Sequence, residues 1–147
     1  MKRKYEKAVK DVLQQLDKFI HETLLGKPNG KRAWLASKHE RGSALPMFKV
    51  YVRIPLAASL LDDKGFPIRD TGVTATNTLD IATIESFPTK EGMGSLFLDE
   101  VENVARCRGM RFLRVESVIA PELERMLIKR GYKGPPNAGM SFWKDLA

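Results

Sequence analysis

The chain has 147 residues, 43% of them hydrophobic and 29% charged, with a formal net charge of +7. That length and balance suit one folded domain, residues 1–147, around a single core, and exclude a disordered chain. No apolar run approaches the roughly 18 residues of a membrane-spanning helix, and the single cysteine, Cys107, excludes an internal disulfide.

The basic start, residues 1–4, leads into an amphipathic stretch rather than a signal segment, and no Cys/His cluster has zinc spacing. The expectation is a cytoplasmic protein with no metal and no membrane contact. Residues 1–70 hold 15 Lys/Arg against 8 Asp/Glu, and residues 71–147 hold 10 against 10, so the N-terminal half carries the whole excess. Such a face either solubilises the protein or attracts a polyanion.

Residues 4–25 predict an amphipathic helix, with Tyr5, Ala8, Val9, Val12, Leu13, Leu16, Phe19, Ile20 and Leu24 at three- and four-residue steps. Its pattern allows a core helix or a dimer contact. Gly26 and Pro28 stop it. A basic loop follows, with Lys27, Lys31, Arg32, Lys38 and Arg41 against Glu40, and with Trp34 and His39 in it. Together these form an N-terminal part, residues 1–45; the sheet and its core occupy 46–147. Residues 47–56 alternate as a strand, with Phe48, Val50, Val52 and Ile54 on one face, and 62–65 (Asp-Asp-Lys-Gly) mark a hairpin tip.

The stretch 78–87 predicts a strand whose apolar phase slips, Leu79 and Ile81 on one face and Ile84 on the other. Either both faces are buried or a bulge intervenes. A helix over 92–108 follows, with Met93, Leu96, Phe97, Val101, Val104 and Ala105 inward and Gly109 as its stop. Residues 112–118 read as the next strand. Pro121 opens another helix whose Glu122 and Glu124 at the start, and Lys129 and Arg130 at the end, complement its dipole. The tail, 140–146, predicts a closing strand with Phe142 and Trp143. Two strands joined by a helical crossover are parallel and right-handed, which makes the fold α/β (α+β) with a mixed central sheet.

Chemistry concentrates in Thr89-Lys90-Glu91-Gly92-Met93-Gly94-Ser95, where strand turns into helix. Two glycines there let the backbone approach an anion closely, and a helix N-terminus adds a positive dipole end. The turn lacks both the Gly-Lys-Ser/Thr spacing of a Walker loop and the three-glycine dinucleotide fingerprint. Gly-x-Gly by itself is also the sequence of an ordinary tight turn.

The order of 79–85 (Leu-Asp-Ile-Ala-Thr-Ile-Glu), Gly92-Met93-Gly94, Val115-Glu116-Ser117-Val118 and Leu127 to Tyr132 resembles the GNAT-type N-acetyltransferases, over about the last 70 residues. The short members carried by phages and mobile elements are the most similar. The resemblance implies a GNAT-like sheet with a parallel strand–helix–strand unit for acetyl-CoA. The family's Gln/Arg-x-x-Gly-x-Gly/Ala loop falls on Thr89, Gly92 and Gly94, with Thr89 departing from Gln/Arg and Lys90 beside it to supply charge. The backbone of Ile84, Glu85 and Ser86 would hold the pantetheine arm, and Lys90, Met93 and Ser95 complete the cofactor set. The family's usual Asn and Tyr fall on Ala120 and Leu127, so its usual general acid is missing.

The candidates for proton transfer are Glu85 at the end of the cofactor strand, Glu116 on the neighbouring strand, and Tyr132 for the leaving thiolate. Each has a plainer role: a solvated strand-end carboxylate, an ion-pair member, a core aromatic. Cys107, His21 and His39 lie outside the predicted site. The favoured reading is transfer of an acetyl group from acetyl-CoA to an amine by direct attack, with Glu85 or a water chain taking the proton. The acceptor is a protein lysine, an N-terminus, a small amine or a nucleobase amino group, and nothing in the sequence chooses. The alternatives are a catalytically inactive GNAT-like module whose basic half binds an anionic partner, acidic protein or nucleic acid, and a plain nucleic-acid-binding domain without coenzyme.

Overall fold

The structure, a computed structural model, describes residues 1–26, 31–38 and 42–147. Among them five strands, β1 (Arg32–Ala36), β2 (Phe48–Arg53), β3 (Thr78–Ser86), β4 (Phe112–Val115) and β5 (Phe142–Asp145), form one sheet in that spatial order. Three helices accompany it: α1 (Arg3–Leu25), α2 (Met93–Cys107) and α3 (Pro121–Lys129). All neighbouring strands are antiparallel except β3 and β4, which are parallel and joined by α2. This is the mixed α+β sheet that the hydrophobic periods predict.

The alternating apolar residues of β2 put Phe48, Val50 and Val52 under the helices, fully buried. The same cluster takes Val9, Val12, Leu16 and Ile20 from α1, Phe97 and Val101 from α2, and Leu127 from α3. All three helices therefore cover one face of the sheet. The Phe48 and Phe97 rings lie 5.4 Å apart and fix α2 against the sheet centre. The opposite face carries a smaller cluster of Leu60, Phe112 and Trp143, over which residues 54–77 fold. There Trp143 Nε1 donates to Leu61 O at 2.8 Å.

Helix α1 begins beside the start of α2 and ends beside its finish. The Met1 side chain lies against Gly92, while Arg108, past the C-terminus of α2, grips Asp17 through Nε (2.7 Å) and Nη2 (2.8 Å). The two helices thus run parallel, with their N-termini at the same end of the molecule. The apolar stripe of α1 is spent on the core. Gly26 N–H closes the helix on Glu22 O at 3.1 Å. Lys27, Pro28, His39, Glu40 and Arg41 lie outside the described residues.

Two expectations need correcting, and a third is resolved. The segment predicted as a basic loop contains strand β1, in which only Leu35 is buried. As a strand paired on one side only, it shows no apolar alternation by which to recognise it. The strand predicted over 112–118 ends at Val115, because Ser117 takes a positive φ of 51°, so Glu116 lies just beyond it. The slipped phase of 78–87 has both of the causes offered for it. Residues 78–81 are buried on both faces, and the β2–β3 register steps from Tyr51↔Thr83 to Val52↔Ile81, leaving Ala82 as a bulge. The extra residue returns Ile84 to the helix face.

Candidate functional site

The turn from β3 into α2 holds Lys90 at φ +63° and Gly92 at φ +82°, the latter as the N-cap. Glycine suits that left-handed position because it has no Cβ to strain the backbone. The first helical bond runs from Leu96 N–H to Gly92 O at 3.0 Å, so the N–H groups of Met93, Gly94 and Ser95 have no carbonyl within the helix. No side chain caps them, and α2 has no acidic residue in its first turn. The positive end of the helix dipole therefore meets no acid within the helix's own first turn.

Gly94 sits in this first turn, and a Cβ built there would meet no atom within 4 Å. Packing does not require glycine at this position; there is room beside the backbone for something outside the fold. Met93 is buried and offers only its N–H. Thr89 and Lys90 are exposed on the turn. Ser95 Oγ accepts from Arg130 Nη2 at 2.9 Å, which leaves its proton free to donate. Arg130, just past α3, also holds Asp99 of α2 at 2.6 Å and so braces the first turns of the cradle. Periodicity made Arg130 a dipole-matching residue and gave no signal of this second role, because the contact spans 35 residues.

The parallel pairing of β3 with β4 stops at Ile81↔Val115, closed by Glu116 N–H on Ile81 O at 2.9 Å. Beyond it β3 continues for five residues while the chain after β4 turns away. The resulting cleft, about 320 Å³, is lined by Ile81 to Ile84 on one side and by Glu116, Ser117, Ile119 and Ala120 on the other. Phe87 N–H bonds to Met47 O at 2.7 Å. Strand alternation back from that bond turns the N–H groups of Glu85 and Thr83 to β2 and those of Ile84 and Ser86 to the gap.

On the helix-free face Asp80, Arg53, Arg114 and Glu116 form one charged cluster. Arg114 binds Asp80 through Nε and Nη2, both at 2.8 Å, and Glu116 at 2.6 Å. Arg53 binds Glu116 from the other side. Burial pushes the Asp80 pKa up to about 6, against the pull of Arg114. Glu116 reaches the cleft, but two guanidinium groups occupy its carboxylate oxygens.

Glu85 points to this same face, opposite Lys49, whose Nζ is 3.7 Å away; its side chain is 56% exposed. Lys49 in turn sits over the Trp34 ring at 4.3 Å. Tyr132 is elsewhere. It is buried, its hydroxyl faces Glu102 of α2 at 3.5 Å, and burial next to that carboxylate drives its pKa far up. The structure thus brings Glu85 and Glu116 to one face by the cleft and leaves Tyr132 in the core. Ala120 lines the cleft and Leu127 is buried in the core. Cys107 is exposed, and His21 Nδ1 pairs with Arg108 Nη1 at 3.0 Å. Among the described residues no group of His, Cys, Asp and Glu could hold a metal ion, and no helix is long and apolar enough to cross a membrane.

No known family profile matches this sequence, and no curated protein is similar enough in sequence to match. Solved structures do match. A protein from Desulfovibrio desulfuricans, described as an acetyltransferase of the GNAT family, has 16% identity and a TM-score of 0.50; the alignment covers 91% of this chain and 78% of that one. One from Staphylococcus aureus Mu50, described as an acetyltransferase, has 13% identity and a TM-score of 0.50, over 95% and 89% of the two chains. A third, the PaiA N-acetyltransferase of Thermoplasma acidophilum in complex with coenzyme A, has 14% identity and a TM-score of 0.48, over 88% and 70%. With its sheet order, its single parallel pair, the splay after that pair and the glycine turn into α2, this chain has the fold of the GNAT N-acetyltransferases.

Proposed function

We propose that the chain is an acetyl-CoA-dependent N-acetyltransferase acting on an amine. The observation that carries this is Gly94: a helix N-terminus with no cap and no acid, next to a splayed parallel pair, with open space where a side chain would stand. Backbone donors at 92–95 suit a pyrophosphate, whose charge is spread over several oxygens. Thr89 and Lys90 flank it, and Ser95 adds a hydroxyl. The cleft N–H groups of Ile84 and Ser86 pair with the amides of a pantetheine arm, and one of them polarises the thioester carbonyl.

The amine attacks from the helix-free face, where Glu85 and Glu116 stand. Its nitrogen bonds to the acetyl carbon, the carbon–sulfur bond breaks, and Glu85 takes the amine proton directly or through water. Glu85 suits the task better than Glu116 because its only cationic neighbour among the described residues is one lysine at 3.7 Å. Tyr132 plays no part in this scheme. The thiolate leaves without a dedicated acid, since a thiol has a pKa of about 8.5.

Isothermal titration of the folded protein with acetyl-CoA, beside Gly94→Glu, tests the reading. Micromolar binding that disappears in the variant supports it. Well-folded wild-type protein that fails to bind acetyl-CoA overturns it.

A further inference from the structure

A second concavity, distinct from the cleft, lies along the N-terminal half of α1 where that helix faces Ser37, Lys38 and Met47. It is the larger of the two, at about 880 Å³. Arg3, Lys4, Lys7 and Lys10 from α1 and Lys38 from the end of β1 line it, against two acids, Glu6 and Asp11. Asp11 is already committed: its carboxylate accepts the backbone N–H of Lys38 at 3.0 Å and the Gln15 amide at 3.3 Å. Among the described residues Arg3, Lys7, Lys10 and Lys38 make no ion pair, although the protein makes several elsewhere.

The groove also lies in a positive field that the sequence did not disclose. The groove starts at the first turn of α1, at Arg3 and Lys4, where the positive end of that helix's dipole lies. Five of the fifteen cations of residues 1–70 line this groove against two of the eight acids, a local excess of three positive charges.

We propose that this groove binds the phosphodiester backbone of a nucleic acid, without sequence preference. Its lining matches the groups that contact phosphates: Lys and Arg, Ser37 and Gln14 side chains, and a helix N-terminus. It does not match a site for an acidic protein. Such an interface is anchored by buried aromatic or large aliphatic side chains, whereas the apolar lining here is Ala8 and Met47. With no aromatic among the described residues that line the groove, bases are left unstacked and unread, so affinity comes from counterion release. The reading does not depend on acetyl transfer.

The test is fluorescence anisotropy of a labelled 20-nucleotide single strand of mixed sequence, titrated with full-length protein at several salt concentrations. With four cations engaged, log K against log salt should fall with a slope of about −3, from roughly −0.7 per phosphate on single strands. The Lys7→Glu/Lys10→Glu double variant replaces two exposed helix positions. It should keep the wild-type thermal midpoint, lose at least about tenfold in affinity and flatten the slope. No binding at 50 mM salt, or equal binding by the double variant, overturns the proposal. Poly-glutamate bound as tightly as the single strand would assign the groove to acidic proteins instead. Coenzyme A and its 3′-dephospho form, titrated beside it, provide the last control. Should the double variant erase the difference between those two, the groove belongs to the coenzyme's 3′-phosphate and the proposal fails.

Discussion

Gly94→Ala and Gly94→Glu together separate a glycine kept for the fold from one kept for a ligand. In the structure a Cβ at this position meets nothing within 4 Å, and its φ is an ordinary helical one. Alanine should therefore stabilise the protein, because it restricts the unfolded chain without adding strain. The full mid-helix gain is about 1 kcal/mol; at a first-turn position about half of that is reasonable, or an increase of about 1–2 °C in thermal midpoint for a domain of this size. The loop that this turn resembles takes glycine or alanine at this position, so the methyl should leave acetyl-CoA affinity within about threefold of wild type. The longer, charged side chain of Gly94→Glu reaches into the space through which a pyrophosphate approaches the Gly94 and Ser95 N–H groups, and should cost at least about tenfold, equivalent to ~1.4 kcal/mol. Differential scanning calorimetry and isothermal titration on the same preparations read stability and affinity separately. An alanine variant that is less stable would refute the open space at Gly94. A folded Gly94→Glu protein that binds acetyl-CoA as tightly as wild type would refute the cradle.

The remaining predictions concern the core, the clamp between the helices, and the base. Phe97→Ala, which empties a fully buried site against Phe48, should cost about 3–5 kcal/mol in denaturant unfolding; a loss under 1 kcal/mol would mean that α2 does not rest on β2 as described. Asp17 has its pKa lowered chiefly by the hydrogen bonds from Arg108. Its contribution is therefore present above the unfolded value of 3.8 and is lost as pH falls through the depressed folded value. Stability of Asp17→Asn should fall slightly below wild type at pH 7, a small effect for a pair that faces water, and the two curves should converge in strong acid. Glu85→Gln should lower kcat by about 10²-fold and leave the KM for acetyl-CoA unchanged. A comparable loss in Glu116→Gln with Glu85→Gln unaffected would transfer the role of base to Glu116.

Much of the fold was legible in the sequence because it is written in short-range patterns. The 3.6-residue stripe of α1 and the alternation in β2 each reflect one buried face, and the turn chemistry at Gly92 and Gly109 reflects single-residue backbone preferences. β1 was not legible, since a strand paired on one side with a single buried residue leaves no period to read. The early end of β4 was hidden as well. Ser117 adopts a positive φ that its residue type does not announce, and the strand stops there.

The candidate site divides the same way. The glycine turn, Lys90 and Glu85 are local features, and their order along the chain was enough to suggest a phosphate cradle followed by a carboxylate. What the sequence by itself determined is the three helices, the strands other than β1, the parallel strand–helix–strand unit and the glycine turn at its centre. The tertiary structure alone decided what those residues face. It set Arg130 under the first turn of α2, clamped Glu116 between Arg53 and Arg114, took Tyr132 into the core, and brought Lys38 and Met47 against the basic first half of α1. Each of these depends on contacts between residues far apart in the chain, whose geometry is fixed by how the helices and sheet close around their common core. Periodicity reports that a side chain is buried; only the packed arrangement of elements says against which partner.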